Sequence, residues 1–285
     1  MFGRREPYWI FTGSLMTLPP ADIGYLSEAF EEASRDVEEA FRLQGPPDTG
    51  QVTPMLLAEA MRQLFEVLKR LESDQDAAGV PRPAGMPTDP GASSTPPATP
   101  TQQALSQADI SELGDYGLSL IGDLVQWAAQ LDREHDRRRL EELAFPLALW
   151  VARKEGELRT LEPVVNALAA FANGTTDPAT LDALGRAMME IIDAVSPFLR
   201  EDLEKSNPGR PWRILILNYG IIATRSHNTA LMETAFQTLT RHLPEEAPEF
   251  FRTGMEQMEL LNYPGHVREV VEKYHRQWRT QHTLH

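Results

Sequence analysis

Asn218 and Arg225 stand seven positions apart, about two helical turns, so one helix carries an amide and a guanidinium on nearly the same face. Arg213, His227 and Asn228 lie near the ends of the same element, and together they form a cationic, amide-bearing patch in an acidic chain. Such groups grip a carboxylate or a peptide backbone, with Trp212 and Tyr219 supplying apolar contact. The partner-binding set is therefore Trp212, Arg213, Asn218, Tyr219, Arg225 and Asn228. The bland alternative has Asn218 satisfying a neighbouring helix backbone and Arg225 pairing with an acidic side chain.

Other clusters carry less chemistry. Glu134, His135 and Asp136 precede Arg137, Arg138 and Arg139, but adjacent helical residues point about 100° apart and do not converge on one ion. His282 and His285 share a helical spacing but fall in the last four residues. Glu245 and Glu246 are adjacent rather than opposed, and neither a glycine-rich phosphate loop nor a serine elbow occurs. The expectation is no metal, no cofactor and no catalytic residue. An enzyme with a site around His227, Asn218 and Tyr219 is the rival, and an enclosed pocket with a partner for each ring nitrogen of His227 would favour it.

Composition narrows the partners. The chain has 285 residues, 41% of them apolar, and 27 Lys and Arg against 42 Asp and Glu give a formal charge of -15. That charge repels phosphate backbones and anionic headgroups, so nucleic acid and membrane surfaces are not expected partners. The absence of cysteine removes disulfides, thiolates and the usual structural zinc sites. The apolar run Tyr8 to Phe11 is broken by Thr12, Gly13 and Ser14, too short for a signal peptide, and no stretch reaches the ~18 apolar residues of a membrane span. A cytoplasmic protein is expected, with Tyr8 to Phe11 docked on a core groove.

Seven of the 22 prolines fall between Pro81 and Pro100, which makes residues 75–106 a Pro/Gly/Ser/Thr-rich flexible linker in the expected organisation. Residues 1–74 are an acidic helical hairpin. Leu26, Phe30, Ala33, Val37 and Ala40 stripe its first helix, and Glu28, Glu31, Glu32, Asp36, Glu38 and Glu39 form a solvated face. The second helix is capped by Thr53 and striped by Leu57, Met61, Leu64, Leu68 and Leu71. One hairpin does not cover that seam, so it either dimerises as a homodimeric four-helix bundle or docks on the C-terminal part.

Residues 107–285 read as helices almost without interruption, and no segment sustains period-two alternation. Ser106 or Asp109 caps a helix whose buried stripe includes Ile110, Leu120, Leu124, Trp127 and Leu131, with Gly114, Gly117 and Gly122 admitting a close neighbour. Pro146 restarts the path, Thr160 caps the next helix, Asp177-Pro178 opens another running to about Leu199, and Pro211 starts the helix holding Trp212. Three further elements cover about 228–243, 245–262 and 264–278.

The run Trp212-Arg-Ile-Leu215-Ile-Leu-Asn-Tyr219, with Ala235 and Pro244 beyond it, resembles the tetratricopeptide repeat pattern. Phe250 and Gly254 echo it 38 residues on (250 minus 212), with Gln257 where that pattern has Tyr. The resemblance implies architecture: stacked helical hairpins in an irregular α-solenoid or bundle, with a groove for a partner. The expected fold is thus all-α, and the expected function is a noncatalytic adaptor or scaffold binding a protein or peptide. A self-assembling structural protein is the second alternative.

Overall fold

The computed structural model describes residues 18–44, 52–78, 107–203 and 205–281. Twelve helices account for these residues: α1 (Ile23–Gln44), α2 (Pro54–Ala78), α3 (Gln107–Gln130), α4 (Glu134–Glu142), α5 (Ala144–Arg153), α6 (Glu162–Gly174), α7 (Pro178–Ala194), the four-residue α8 (Pro197–Arg200), α9 (Pro211–Arg225), α10 (Thr229–His242), α11 (Ala247–Leu260) and α12 (Gly265–Gln281). No strand occurs among them, and the one β-type pairing is an isolated bridge between Leu158 and Val195. The fold is all-α.

Local sequence sets most helix starts. Asp22 caps α1 by accepting from the Tyr25 N–H at 2.8 Å. Asp177 caps α7, with the Thr180 N–H at 2.9 Å, and proline follows within the first turn. The expected Thr160 cap is not used. The N-cap of α6 is Leu161, without a side-chain bond, and Asp115 of α3 instead accepts from the backbone N–H groups of Arg159 and Thr160, each at 2.9 Å. Helix α7 also stops at Ala194, short of Leu199, because Leu158 takes the next backbone hydrogen bonds: its N–H donates to Ala194 and its carbonyl accepts from Ser196.

The helices stack in two rows. One row runs α2, α3, α5, α7, α9; in the other α1 packs on α4 and α4 on α6, and α10 packs on α12 further along. Glycine permits a close approach: a Cβ on Gly117 would lie 2.8 Å from Leu64 Cδ2 of α2 and 3.0 Å from Leu147 Cδ2 of α5, so α3 is seated between those helices. Gly122, by contrast, has Pro163 Cγ no nearer than 3.8 Å. Helix α2 continues to Ala78, into the stretch expected as linker, and residues 79–106 lie outside the described residues. Residues 1–17, with Tyr8 to Phe11, and His282 and His285 also lie outside them.

The N-terminal hairpin belongs to the same core. Leu57, Met61, Leu64 and Leu68 are buried, and Leu71 packs half-buried at its margin, so α1 and α3 cover the seam within one chain. The acidic face of α1 departs from the solvated surface expected of it. Arg62 of α2 bonds Glu31 at 2.8 Å and Glu38 at 2.5 Å, Arg133 meets Asp36 at 3.3 Å, and Arg139 meets Glu32 at 2.5 Å. The arginines around α4 therefore fasten α1 to the array. Two indoles add directional bonds, one to the residues leading into α2 and one to α2 itself: Trp127 Nε1 donates to the Val52 carbonyl at 2.9 Å, and Trp150 Nε1 to Glu72 at 2.6 Å.

Candidate functional site

Helix α9 is apolar on two faces, and only one fits the core. Trp212, Leu215, Ile216, Tyr219, Ile222 and Ala223 are buried against neighbouring helices. The other face, Arg213, Leu217, Ile221 and Thr224, follows i, i+4, i+8, i+11 spacing and looks across a groove toward α11. There Phe250, Thr253, Gly254, Gln257 and Met258 supply the opposite wall, also at helical spacing. Helix α9 packs on α10, and α11 on α12; α9 and the start of α11 are joined by the Arg213–Glu246 pair, and the Phe250 ring end lies where a Cβ on Gly220 would come within 2.7 Å.

The groove encloses about 450 Å³, a volume typical of a binding cleft. Phe236 and Phe250 line it, edge-on to each other at 6.0 Å, and behind them Phe236 packs edge-on against the buried Phe251 at 5.0 Å and Tyr274 at 5.1 Å. Ile221 is 47% exposed on one lip and Leu261 60% exposed at the end, so apolar surface continues out of the cleft. The charged groups along it are engaged within the chain. Glu246 holds Arg213 through both carboxylate oxygens, Arg252 holds Glu249, and Arg225 donates to the carbonyls of Ala172 (2.8 Å) and Thr175 (2.7 Å). The bidentate pairing keeps the Glu246 carboxyl below the usual carboxylate range.

The residues singled out by sequence are dispersed by this arrangement. Arg213 and Arg225 line the groove. Trp212 is buried, edge-on to His242 at 5.2 Å, and Tyr219 is wholly buried. Neither the indole N–H of Trp212 nor the Tyr219 hydroxyl has a hydrogen-bond partner among the described residues. Burial, with the Asp193 carboxylate second, pushes the Tyr219 hydroxyl up to about 12. Asn228 caps α10, accepting from the N–H groups of Ala230 and Leu231, and its amide donates to Asp182 at 2.7 Å. The Asn218 side chain is half-buried, makes no hydrogen bond among the described residues and is not part of the groove wall.

Neither Trp212 nor Tyr219 lines the groove, Trp212 instead bordering a separate hollow with Leu161 and Phe198, and Arg225 closes the C-terminal turn of α6 with both terminal nitrogens. His227 adopts a left-handed backbone conformation (φ 59°), its ring edge-on to Tyr263 at 5.4 Å. No hydrogen bond is made by its ring nitrogens among the described residues, and the surrounding hollow is open. Asp136 is buried against Arg133 at 3.0 Å, and among the described residues no three His, Asp or Glu side chains gather as metal ligands.

Sequence reasoning missed Leu217, Ile221 and Met258. The available signal was an excess: α9 carries more apolar residues than one buried stripe requires. Compared with protein-family models, with curated proteins and with solved structures, the chain matches none.

Proposed function

We propose that this chain is a noncatalytic interaction protein that takes an apolar helical segment of a partner protein in the groove between α9 and α11. The observation that supports this most is the groove itself: two helix faces, each apolar at helical spacing, held apart with Phe236 and Phe250 lining the cleft. An amphipathic helix matches such a cleft, laying side chains at i, i+3 or i+4 and i+7 between the walls. Because Arg213, Glu249 and Arg225 are already engaged, affinity comes from apolar burial, and the carboxylate grip expected from Asn218 and Arg225 gives way to that reading. The resemblance of 212–244 to a tetratricopeptide repeat accords with it, since stacked hairpins present grooves to peptides.

The test is a selection of phage-displayed amphipathic helices against the full chain. Selected peptides should compete with one another, lose binding on Ile221→Glu and keep it on Phe198→Glu, a substitution at an exposed residue outside the groove. Binders indifferent to Ile221→Glu would remove the groove as the site.

A further inference from the structure

A second recess lies among α1, α4, α5 and α6, away from the residues of the α9–α11 groove, and holds about 460 Å³. Tyr25, Leu143, Pro146 and Phe171 give it an apolar lining. Three carboxylates and one guanidinium border it, a local balance of -2 from Glu28, Glu32 and Glu142 against Arg139. Glu32 and Arg139 neutralise each other at 2.5 Å. Glu28 and Glu142 have no ion pair or hydrogen bond among the described residues. Desolvation, and then the neighbouring Glu141, hold the Glu142 carboxyl above its usual range against the opposing pull of Arg139, Arg138 and His135, and burial followed by Glu142 raises the Tyr25 hydroxyl. A carboxylate that is partly desolvated and makes no ion pair gains from an arriving cation.

The chemistry of the recess selects the occupant. A long basic side chain lays its aliphatic stem on apolar surface and keeps its head at the carboxylates, and a guanidinium also stacks on aromatic faces such as Tyr25 and Phe171. The overall charge of -15 draws cationic segments toward the chain. We propose that this recess is a docking site for an arginine-bearing segment of a partner protein, with Glu28 and Glu142 as its charge-selecting residues.

Fluorescence anisotropy on the full chain tests this with a short fluorescein-labelled peptide alternating leucine and arginine, and with its leucine–glutamate counterpart. The arginine peptide should bind and the glutamate peptide should not. Neutralising both carboxylates (Glu28→Gln with Glu142→Gln) should weaken binding about tenfold, while Glu112→Gln with Glu259→Gln, the same charge change elsewhere, should alter it by less than about twofold. Equal weakening by the two pairs would reduce the effect to general attraction and overturn the site. So would equal binding of the glutamate peptide. Markedly tighter binding after Arg4→Gln with Arg5→Gln would assign the recess to this chain's own N-terminal residues and likewise overturn the proposal.

Discussion

Replacing glycine by alanine at two helical positions should have opposite consequences, and the contrast measures how firmly α9 and α11 are held together. At Gly122 an added Cβ meets nothing nearer than 3.8 Å, an ordinary contact, so the change should stabilise by up to about 1 kcal/mol through helix propensity. At Gly220 the same atom would lie 2.7 Å from Phe250 Cζ and 3.3 Å from Cε2. Carbon atoms rest about 3.5–4.0 Å apart, so the ring must retreat by roughly 1 Å. It has little room, being edge-on to Phe236 at 6.0 Å and Phe251 at 5.3 Å. Overpacking of that kind costs about 1–3 kcal/mol. The propensity gain is common to both sites and cancels, so Gly220→Ala should be about 1–3 kcal/mol less stable than Gly122→Ala. Urea denaturation of the two variants, with slopes compared to confirm two-state behaviour, reads this directly. Pairing Gly220→Ala with Phe250→Leu should recover part of the loss, because the clashing ring atoms are gone. Equal stabilisation at both positions would refute the reasoning, since Phe250 would then not be pressed against α9.

Three further outcomes follow from the same contacts. Arg62→Met should cost about 1–3 kcal/mol in urea denaturation, because it leaves the buried Glu38 with only the long contact to Arg42 at 3.5 Å, and adding Glu38→Gln should return most of it. Arg225→Ala should lower stability by about 1–3 kcal/mol, as the carbonyls of Ala172 and Thr175 lose their donor, and unchanged stability would mean those bonds are not made. The Tyr219 hydroxyl, raised by burial from 10 to about 12, ionises first in the unfolded chain, so stability falls as pH rises from about 10 to about 12. Tyr219→Phe should remove about 1–3 kcal/mol of that alkaline loss and leave neutral-pH stability unchanged or higher, since the hydroxyl has no partner among the described residues. Denaturation at neutral and alkaline pH checks both parts.

How much was legible in the sequence varied with the range of the interaction. Helix starts set by a side chain a few positions away, at Thr53, Asp177 and Asn228, are encoded locally and appear where expected. Gly117 was recognisable as a point of close approach, although its neighbours Leu64 and Leu147 were not. The cap of α6 was misassigned because the backbone N–H groups just before it, of Arg159 and Thr160, are bound by Asp115, about 45 positions away, and no local pattern reports such a partner. Nothing near Arg133 and Arg139 in the chain names their partners for the same reason: the carboxylates, Asp36 and Glu32, are on α1. At the site, composition marked α9 as unusual but not which face was buried. Polar residues attracted the interest, yet Asn228 and Arg225 proved to be ties between elements, and the open surface is carried by Leu217, Ile221 and Phe250.

The central claim, that the α9–α11 groove receives an apolar helix, is tested most directly by one binding isotherm pair. A selected amphipathic peptide, labelled and titrated with the full chain, is compared between the wild type and Ile221→Glu. Ile221 is half-exposed when the groove is empty, so the free protein tolerates the charge, whereas a seated helix would bury it. Burying an unpaired carboxylate against apolar walls costs about 2–4 kcal/mol, so affinity should fall about 30-fold or more with the melting temperature little changed. An isotherm unchanged within about twofold would place the peptide elsewhere and contradict the account.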